Sequence, residues 1–202
     1  MKIRAVGENA NILFFVGKKY EGKTYLAKHM LKKVKQYLMW DENREHDDMG
    51  TVTTRLQDVI LLWNMKKRKV VYQPPTEKKT QQGFNEFCLI ALMLSNAVIY
   101  CEEVRLYAQS NKIPINFARL MDSGRFRGLG IWCTSRRMLR LAAEIPYNAD
   151  HIFAFKQKRV KDLEALKDYI DEDVVDQIPN LPKYHFVHYI DETGTAYIHK
   201  PI

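Results

Sequence analysis

Cysteine is scarce in this chain. It has three, and no two form a CxxC pair. Cys88, Cys101 and Cys133 each sit inside an apolar run, such as Phe87-Cys88-Leu89 and Trp132-Cys133. They are expected to be buried reduced thiols that act as small hydrophobes, which excludes a disulfide framework or a zinc ribbon. No apolar run approaches the ~18–20 residues a membrane span needs, so no transmembrane segment is expected. The chain also lacks a leader in which charged residues precede an apolar stretch and a cleavage site. The expectation is a soluble, cytosolic protein. No internal repeat, low-complexity tract or linker interrupts the 202 residues, so 1–202 reads as a single domain. His185 and His188, three apart on an expected strand, face opposite sides, which argues against a shared metal.

Hydrophobic residues make up 46% of the chain, enough for a buried core. The net charge of +8 suits a partner rich in phosphate. Short β-branched or aromatic runs alternate with longer helix-like stretches. Strands are expected over 11–16, 37–40, 69–73, 97–101, 129–133 and 151–155, and helices over 23–36, 54–64, 81–96, 115–121 and 160–170. Asp191-Glu192-Thr193-Gly194 between two apolar runs signals a closing β-hairpin. Alternating strands and helices imply an α/β fold with a mainly parallel sheet covered on both faces. The tail adds antiparallel strands at one edge. Trp40, Trp63 and Trp132 are expected to pack the core.

Gly17, Lys18, Lys19, Tyr20, Glu21, Gly22, Lys23 and Thr24 match G-x-x-x-x-G-K-[ST] at every position. The motif follows a strand and opens a helix, which is where its chemistry requires it. The glycines allow backbone angles that aim successive N–H groups at phosphate oxygens, and the helix amino terminus adds positive potential. Lys23 can reach the β- and γ-phosphates, and the Thr24 hydroxyl can ligate Mg²⁺. Tyr25 is counted with the nucleotide-binding residues. A chance match arises in about one random chain of this length in a hundred, before strand and helix context is considered. ATP and Mg²⁺ are the expected cofactors.

The acidic partner this loop requires is found at Ile99-Tyr100-Cys101-Glu102-Glu103, an apolar strand ending in two carboxylates. Neighbours on a strand point to opposite sides, so the two acids can differ in role. Glu102 is assigned to the magnesium or its water shell, and Glu103 to polarising the attacking water as general base. At the end of the 129–133 strand, Thr134 and Ser135 are candidates to sense the γ-phosphate, with Ser135 counted among the catalytic residues. Arg136 is assigned to nucleotide binding. Arg125, ahead of that strand, is assigned as an arginine finger for a neighbouring subunit. Lys66-Lys67-Arg68-Lys69 and Arg136, Arg137 and Arg140 are basic clusters able to contact DNA phosphates. Asp41, Glu42, Glu45, Asp47 and Asp48 would repel DNA, and belong away from it or near the metal.

Together the loop Gly17–Thr24, Trp40-Asp41, the Ile99–Glu103 segment and Gly124-Arg125 through Arg136 resemble the FtsK/HerA superfamily of DNA-pumping ATPases. More narrowly they resemble the genome-packaging ATPases of internal-membrane icosahedral viruses, including the Sulfolobus turreted icosahedral virus group. The resemblance runs from about Ile12 to the carboxyl terminus. The tail segments Tyr184-His185-Phe186 and Ile198-His199-Lys200-Pro201 also resemble the archaeal viral group. It implies a P-loop NTPase of RecA/ASCE type, a three-layer sandwich. It further implies a hexameric or pentameric ring, double-stranded DNA bound without regard to sequence and threaded through the centre, and hydrolysis at subunit interfaces. Capsid or membrane vertex proteins would supply the anchoring. The place of work would be the cytoplasm of the infected cell and the packaging vertex of the virion. The chain departs from the family with Glu at 102, where Asp is usual, and Ser at 135, where Gln is common. Two other functions fit the same loop: a small kinase of nucleoside monophosphate type, and a nucleotide-gated assembly scaffold that does not hydrolyse.

Overall fold

Strand β1 (Ile12–Val16) is buried at every position, as a strand covered on both faces must be. Its side chains alternate strictly between two cores: Ile12, Phe14 and Val16 enter one, Leu13 and Phe15 the other. The computed structural model describes residues 3–7 and 10–202. The remaining strands are β2 (Tyr37–Trp40), β3 (Thr51–Thr53), β4 (Lys69–Tyr72), β5 (Val98–Cys101), β6 (Gly130–Ser135), β7 (His151–Phe155), β8 (Phe186–Ile190) and β9 (Thr195–His199). The helices are α1 (Lys23–Lys32), α2 (Leu56–Asn64), α3 (Gln81–Ala91), α4 (Ile115–Ser123), α5 (Glu144–Tyr147), α6 (Val160–Lys167) and α7 (Glu172–Val175).

The strands form one nine-stranded sheet in the order β3-β4-β2-β5-β6-β1-β7-β8-β9. Pairings from β3 through β7 are parallel, and β8 and β9 add an antiparallel edge. The smaller core holds Leu26, Ala27 and Leu31 of α1 against Leu13, Phe15 and Trp132. The larger lies on the opposite face, where α2, α3, α4 and α6 bury Val59, Phe84, Phe117 and Leu166. This is the expected three-layer α/β sandwich. All three tryptophans and all three thiols are buried. No helix among the described residues is long and apolar enough to cross a membrane.

Departures from the sequence expectation have local causes. Helix α1 stops at Lys32, because Lys33 and Val34 turn their N–H groups to carbonyls three residues back and release the chain into β2. Helix α3 stops at Ala91, and Asn96 takes a left-handed φ of 50° while its N–H bonds Arg127 O. Strand β3 has only three residues, one of them exposed and one buried, which is too little pattern to read.

Trp40 organises the larger core. Its ring meets Tyr72, Phe84, Phe87 and Tyr107 with centroids no more than 5.5 Å apart, and its indole N–H donates to Glu42 Oε2 at 3.1 Å. Aromatic pairs in these tilted arrangements add to the gain from burial. Trp40→Ala should lower stability by about 3–5 kcal/mol, read as a drop in the urea midpoint at constant slope.

Candidate active site

Because β1, β6, β5 and β2 run parallel, their carboxyl ends reach one edge of the sheet, where ligands of such sheets bind. The phosphate loop leaves β1 there. Gly17 N–H donates to Ser135 O at 3.3 Å and Lys18 N–H to Lys156 O at 3.0 Å, so the loop is tied to both neighbouring strands. Gly17 has φ +144°, and a Cβ on it would lie 2.7 Å from Phe155 O, so only glycine fits. Gly22, at φ +104°, turns the chain into α1. Among the described residues no side chain caps that helix, and its first turn carries no acid. Its leading N–H groups therefore remain for an anion.

Lys23 is only 6% exposed, and its Nζ donates to Lys18 O at 2.8 Å. Burial lowers its pKa to about 8, Arg136 pushes the same way, and Glu103, Glu21 and Glu102 pull against them. A triphosphate would supply the missing negative charge.

The acidic strand end lies opposite. Glu102 is buried, and its Oε2 accepts the Asn43 N–H at 3.3 Å. Glu103 takes a left-handed φ of 51°, an uncommon state for a non-glycine residue that tends to be held where it serves function. Its N–H donates to Thr134 Oγ1 at 3.1 Å, and its Oε1 accepts from Arg136 Nε at 2.8 Å. Burial pushes the Glu103 carboxyl above the usual range, while Arg136 and Lys23 oppose the shift. Thr24 and Glu102 offer oxygen donors on the same cavity wall, the donor type a magnesium ion takes.

That cavity, about 280 Å³, is lined by Lys19, Tyr20, Gly22, Lys23, Thr24, Tyr25, Glu102, Glu103 and Arg136, together with Asn43, Glu45 and Tyr184. Beside it lies a cleft of about 400 Å³ walled by Leu26, Phe155, Phe186, Pro201 and Ile202, and sharing Gly22, Tyr25 and Tyr184. A polar chamber thus opens beside an apolar one.

Solved structures share this arrangement of chain. The genome packaging NTPase B204 from Sulfolobus turreted icosahedral virus 2, in complex with AMPPCP, matches with a TM-score of 0.82 and 25% identity over 95% of this chain and 98% of that one. The chain resembles the viral genome-packaging NTPases. The DNA-packaging ATPase B204 from Sulfolobus turreted icosahedral virus matches in fold at TM-score 0.80 and 23% identity, over 95% and 98% of the two chains. VirB4 of Thermoanaerobacter pseudethanolicus has the same fold at TM-score 0.70 and 13% identity, over 97% of this chain and 91% of its own. No family model matches the sequence, and no curated protein matches it.

Within this packaging-NTPase fold, the structure brings together most of the residues expected at the site, but not all. Ser135 is fully buried, and its hydroxyl closes a turn, donating to Arg137 O at 2.7 Å and accepting Arg137 N–H at 3.2 Å. Thr134, on the other face of the strand, is the one that meets Glu103. Glu21 takes no part in the cavity lining, and its buried Oε2 has no hydrogen-bond partner among the described residues. Arg125 lies in a 3₁₀ turn, Gly124–Arg127, ahead of β6 and therefore at the opposite edge of the sheet from its own phosphate loop. It pairs with Asp150 Oδ2 at 3.0 Å. Arg137 pairs with the buried Asp162 at 2.8 Å, which occupies one member of the second basic cluster. Asp41 and Glu42 are buried and internally bonded rather than part of a solvated acidic patch. Asn43, Glu45 and the apolar cleft were not legible in sequence. The only signal for the cleft was the tail, Tyr184 to Phe186 and Pro201.

A buried ammonium with a depressed pKa is a stability cost that is present in full below pH 8 and relieved as pH rises toward 10.5. Lys23→Met should therefore abolish nucleotide binding and yet raise the stability of the nucleotide-free protein at pH 7, by up to about 3 kcal/mol. Urea unfolding of both proteins checks this, and the gap between them should close between pH 8 and 10.5.

Proposed function

We propose that this chain is the ATP-hydrolysing motor that drives double-stranded DNA into a preformed viral capsid. The observation that carries the reading is the convergence of Lys23, Thr24, Glu102, Glu103 and Arg136 on one cavity at the carboxyl edge of the sheet. Similarity to packaging NTPases solved with ATP analogues supports it.

The triphosphate lies along the loop N–H groups and the start of α1, and the base enters the apolar cleft between Tyr25 and Tyr184. Lys23 leaves the Lys18 carbonyl for the β- and γ-phosphates. The Thr24 hydroxyl and the Glu102 carboxylate would hold Mg²⁺, which when bound would supply positive charge against the phosphate oxygens. Glu103 accepts a proton from a water whose oxygen attacks the γ-phosphorus, and the bond from that phosphorus to the bridging oxygen breaks to release ADP.

Arg136 connects binding to this step. Its guanidinium pairs with the Glu103 carboxylate at 2.8 Å. An arriving γ-phosphate competes for that guanidinium and frees the carboxylate to take the water's proton. In a ring of five or six such subunits, Arg125 of one copy serves the γ-phosphate of the next once its pairing with Asp150 opens. The basic run Lys66 to Lys69 leads into the amino end of β4, away from the phosphate loop, so DNA contact and hydrolysis need not share a surface. Capsid or membrane vertex proteins anchor the ring in the infected cell.

Hydrolysis measured with and without duplex DNA, beside the molar mass in solution, tests the motor. DNA should stimulate turnover and the mass should correspond to a ring. A monomer whose hydrolysis ignores DNA would refute the proposal, as would phosphate transfer to a nucleoside monophosphate. Glu103→Gln should bind ATP with near wild-type affinity and hydrolyse it about 10²–10⁴-fold more slowly, read by equilibrium binding against single-turnover hydrolysis.

A further inference from the structure

Behind Glu102 lies a set of donors that phosphate chemistry does not use. Asp41 follows β2 directly, and its carboxylate folds the next loop around itself. Oδ1 accepts the Glu45 N–H at 3.1 Å, and Oδ2 accepts the His46 N–H at 3.2 Å and the Gln73 amide at 2.9 Å. This turns the His46 side chain inward to zero exposure. Its Nε2 lies 3.5 Å from Glu102 Oε1 and 3.8 Å from Asp41 Oδ1. Neither ring nitrogen has a hydrogen-bond partner among the described residues.

A buried imidazole with two orphan nitrogens is costly, and buried polar groups are nearly always satisfied by a partner, a water or an ion. The spacings are at or beyond the limit of a hydrogen bond. Ligands about 2.1 Å from a common ion stand roughly 3.0–3.5 Å from one another, so the His46–Glu102 spacing of 3.5 Å matches, while Asp41 Oδ1, at 3.8 Å, would draw in by a few tenths of an ångström. All three donor atoms lie within 4.8 Å of each other. The ion's charge would also offset two buried carboxylates, which among the described residues have only His46 within ion-pair distance.

We propose that Asp41, His46 and Glu102 form a binding site for a divalent transition metal, separate from the magnesium that accompanies the nucleotide. One imidazole nitrogen with two carboxylate oxygens suits manganese, iron, cobalt or zinc, whereas magnesium and calcium take oxygen alone. Outer contacts already aim the ligands: the Asn43 N–H holds the far oxygen of Glu102, and Gln73 holds Asp41. Glu102 also lines the phosphate cavity, so a metal here would fix the carboxylate that faces the nucleotide. The site is built from β2, its loop and β5, and its occupancy does not depend on nucleotide.

Co²⁺ titration of the chelator-stripped, nucleotide-free full chain, followed by visible d–d absorption, tests this. One Co²⁺ per chain should bind, and Zn²⁺ should displace it. His46→Ala should weaken binding at least about tenfold, with His46→Gln used in its place if the alanine variant does not fold. His188→Ala, which removes a half-buried histidine on β8 outside the site, should leave it intact. No band in the wild type, a band unchanged in the His46 variants, or a band lost in His188→Ala would overturn the site. So would binding that requires added nucleotide.

Discussion

The attachment of the phosphate loop to the two strands beside it is the constraint on which the site depends. Gly17 and Lys18 give their N–H groups to β6 and to the residue after β7, and the Gly17 backbone presses against Phe155. No side chain can enter that contact, so the loop cannot rise from the sheet without breaking both strand junctions. The same contact sets the distance between the loop and the acids, because β6 lies between β1 and β5. Thr134 of β6 then fixes the Glu103 backbone, which transfers the rigidity of the sheet to the residue proposed as general base. Preorganisation of this kind is where electrostatic catalysis gains most.

The site is also an exercise in balancing buried charge. Lys23, Glu102, Glu103 and Arg136 crowd one cavity, and the burial of Lys23 and Glu103 pushes both toward their neutral forms. Mutual attraction opposes this, with Arg136 bonded to Glu103 and Lys23 near it. Such an arrangement is poised. A triphosphate adds negative charge next to Lys23 and Arg136, strengthening one cation and withdrawing the other from its carboxylate. In the proposed reaction the binding energy of the γ-phosphate becomes a change at Glu103, and hydrolysis follows occupancy instead of running ahead of it.

Much of this was legible in the sequence, for definite reasons. The loop at Gly17 is read from letters because its chemistry depends on backbone freedom and one ammonium, which few residue types can supply. Glu102 and Glu103 could be placed at the carboxyl edge of the sheet because an apolar run leads directly into them. Ser135 was less well served. Alternation along β6 sends adjacent hydroxyls to opposite faces, and a pattern of letters does not say which face meets the nucleotide. Arg125 can be located only relative to a strand direction, and the parallel order of β6 and β1 puts it at the far edge. The apolar cleft combines Tyr25, Phe155, Tyr184 and Ile202, residues spread across most of the chain. Only the hairpin folding back beside β7 gathers them. The internal use of Asp41 and Glu42 was hidden because an acidic run resembles a solvated loop until its partners, Gln73 and Tyr107, are brought in by β4 and by the turn after β5.

The position of Asp41 explains why the second strand ends as it does. A carboxylate at the end of β2, next to β5, could in principle face the nucleotide. Here its oxygens accept the Glu45 and His46 N–H groups and the Gln73 amide, which shapes the 41–46 loop. That loop delivers Asn43 and Glu45 to the phosphate cavity and the Asn43 N–H to Glu102. Glu102 is one methylene longer than an aspartate, and such a side chain has more ways to miss a metal. The Asn43 amide on one oxygen and His46 beside the other remove that freedom. The longer acid and the loop that restrains it are therefore one feature, and shortening Glu102 without rebuilding the 41–46 loop would leave the His46 imidazole facing an empty space.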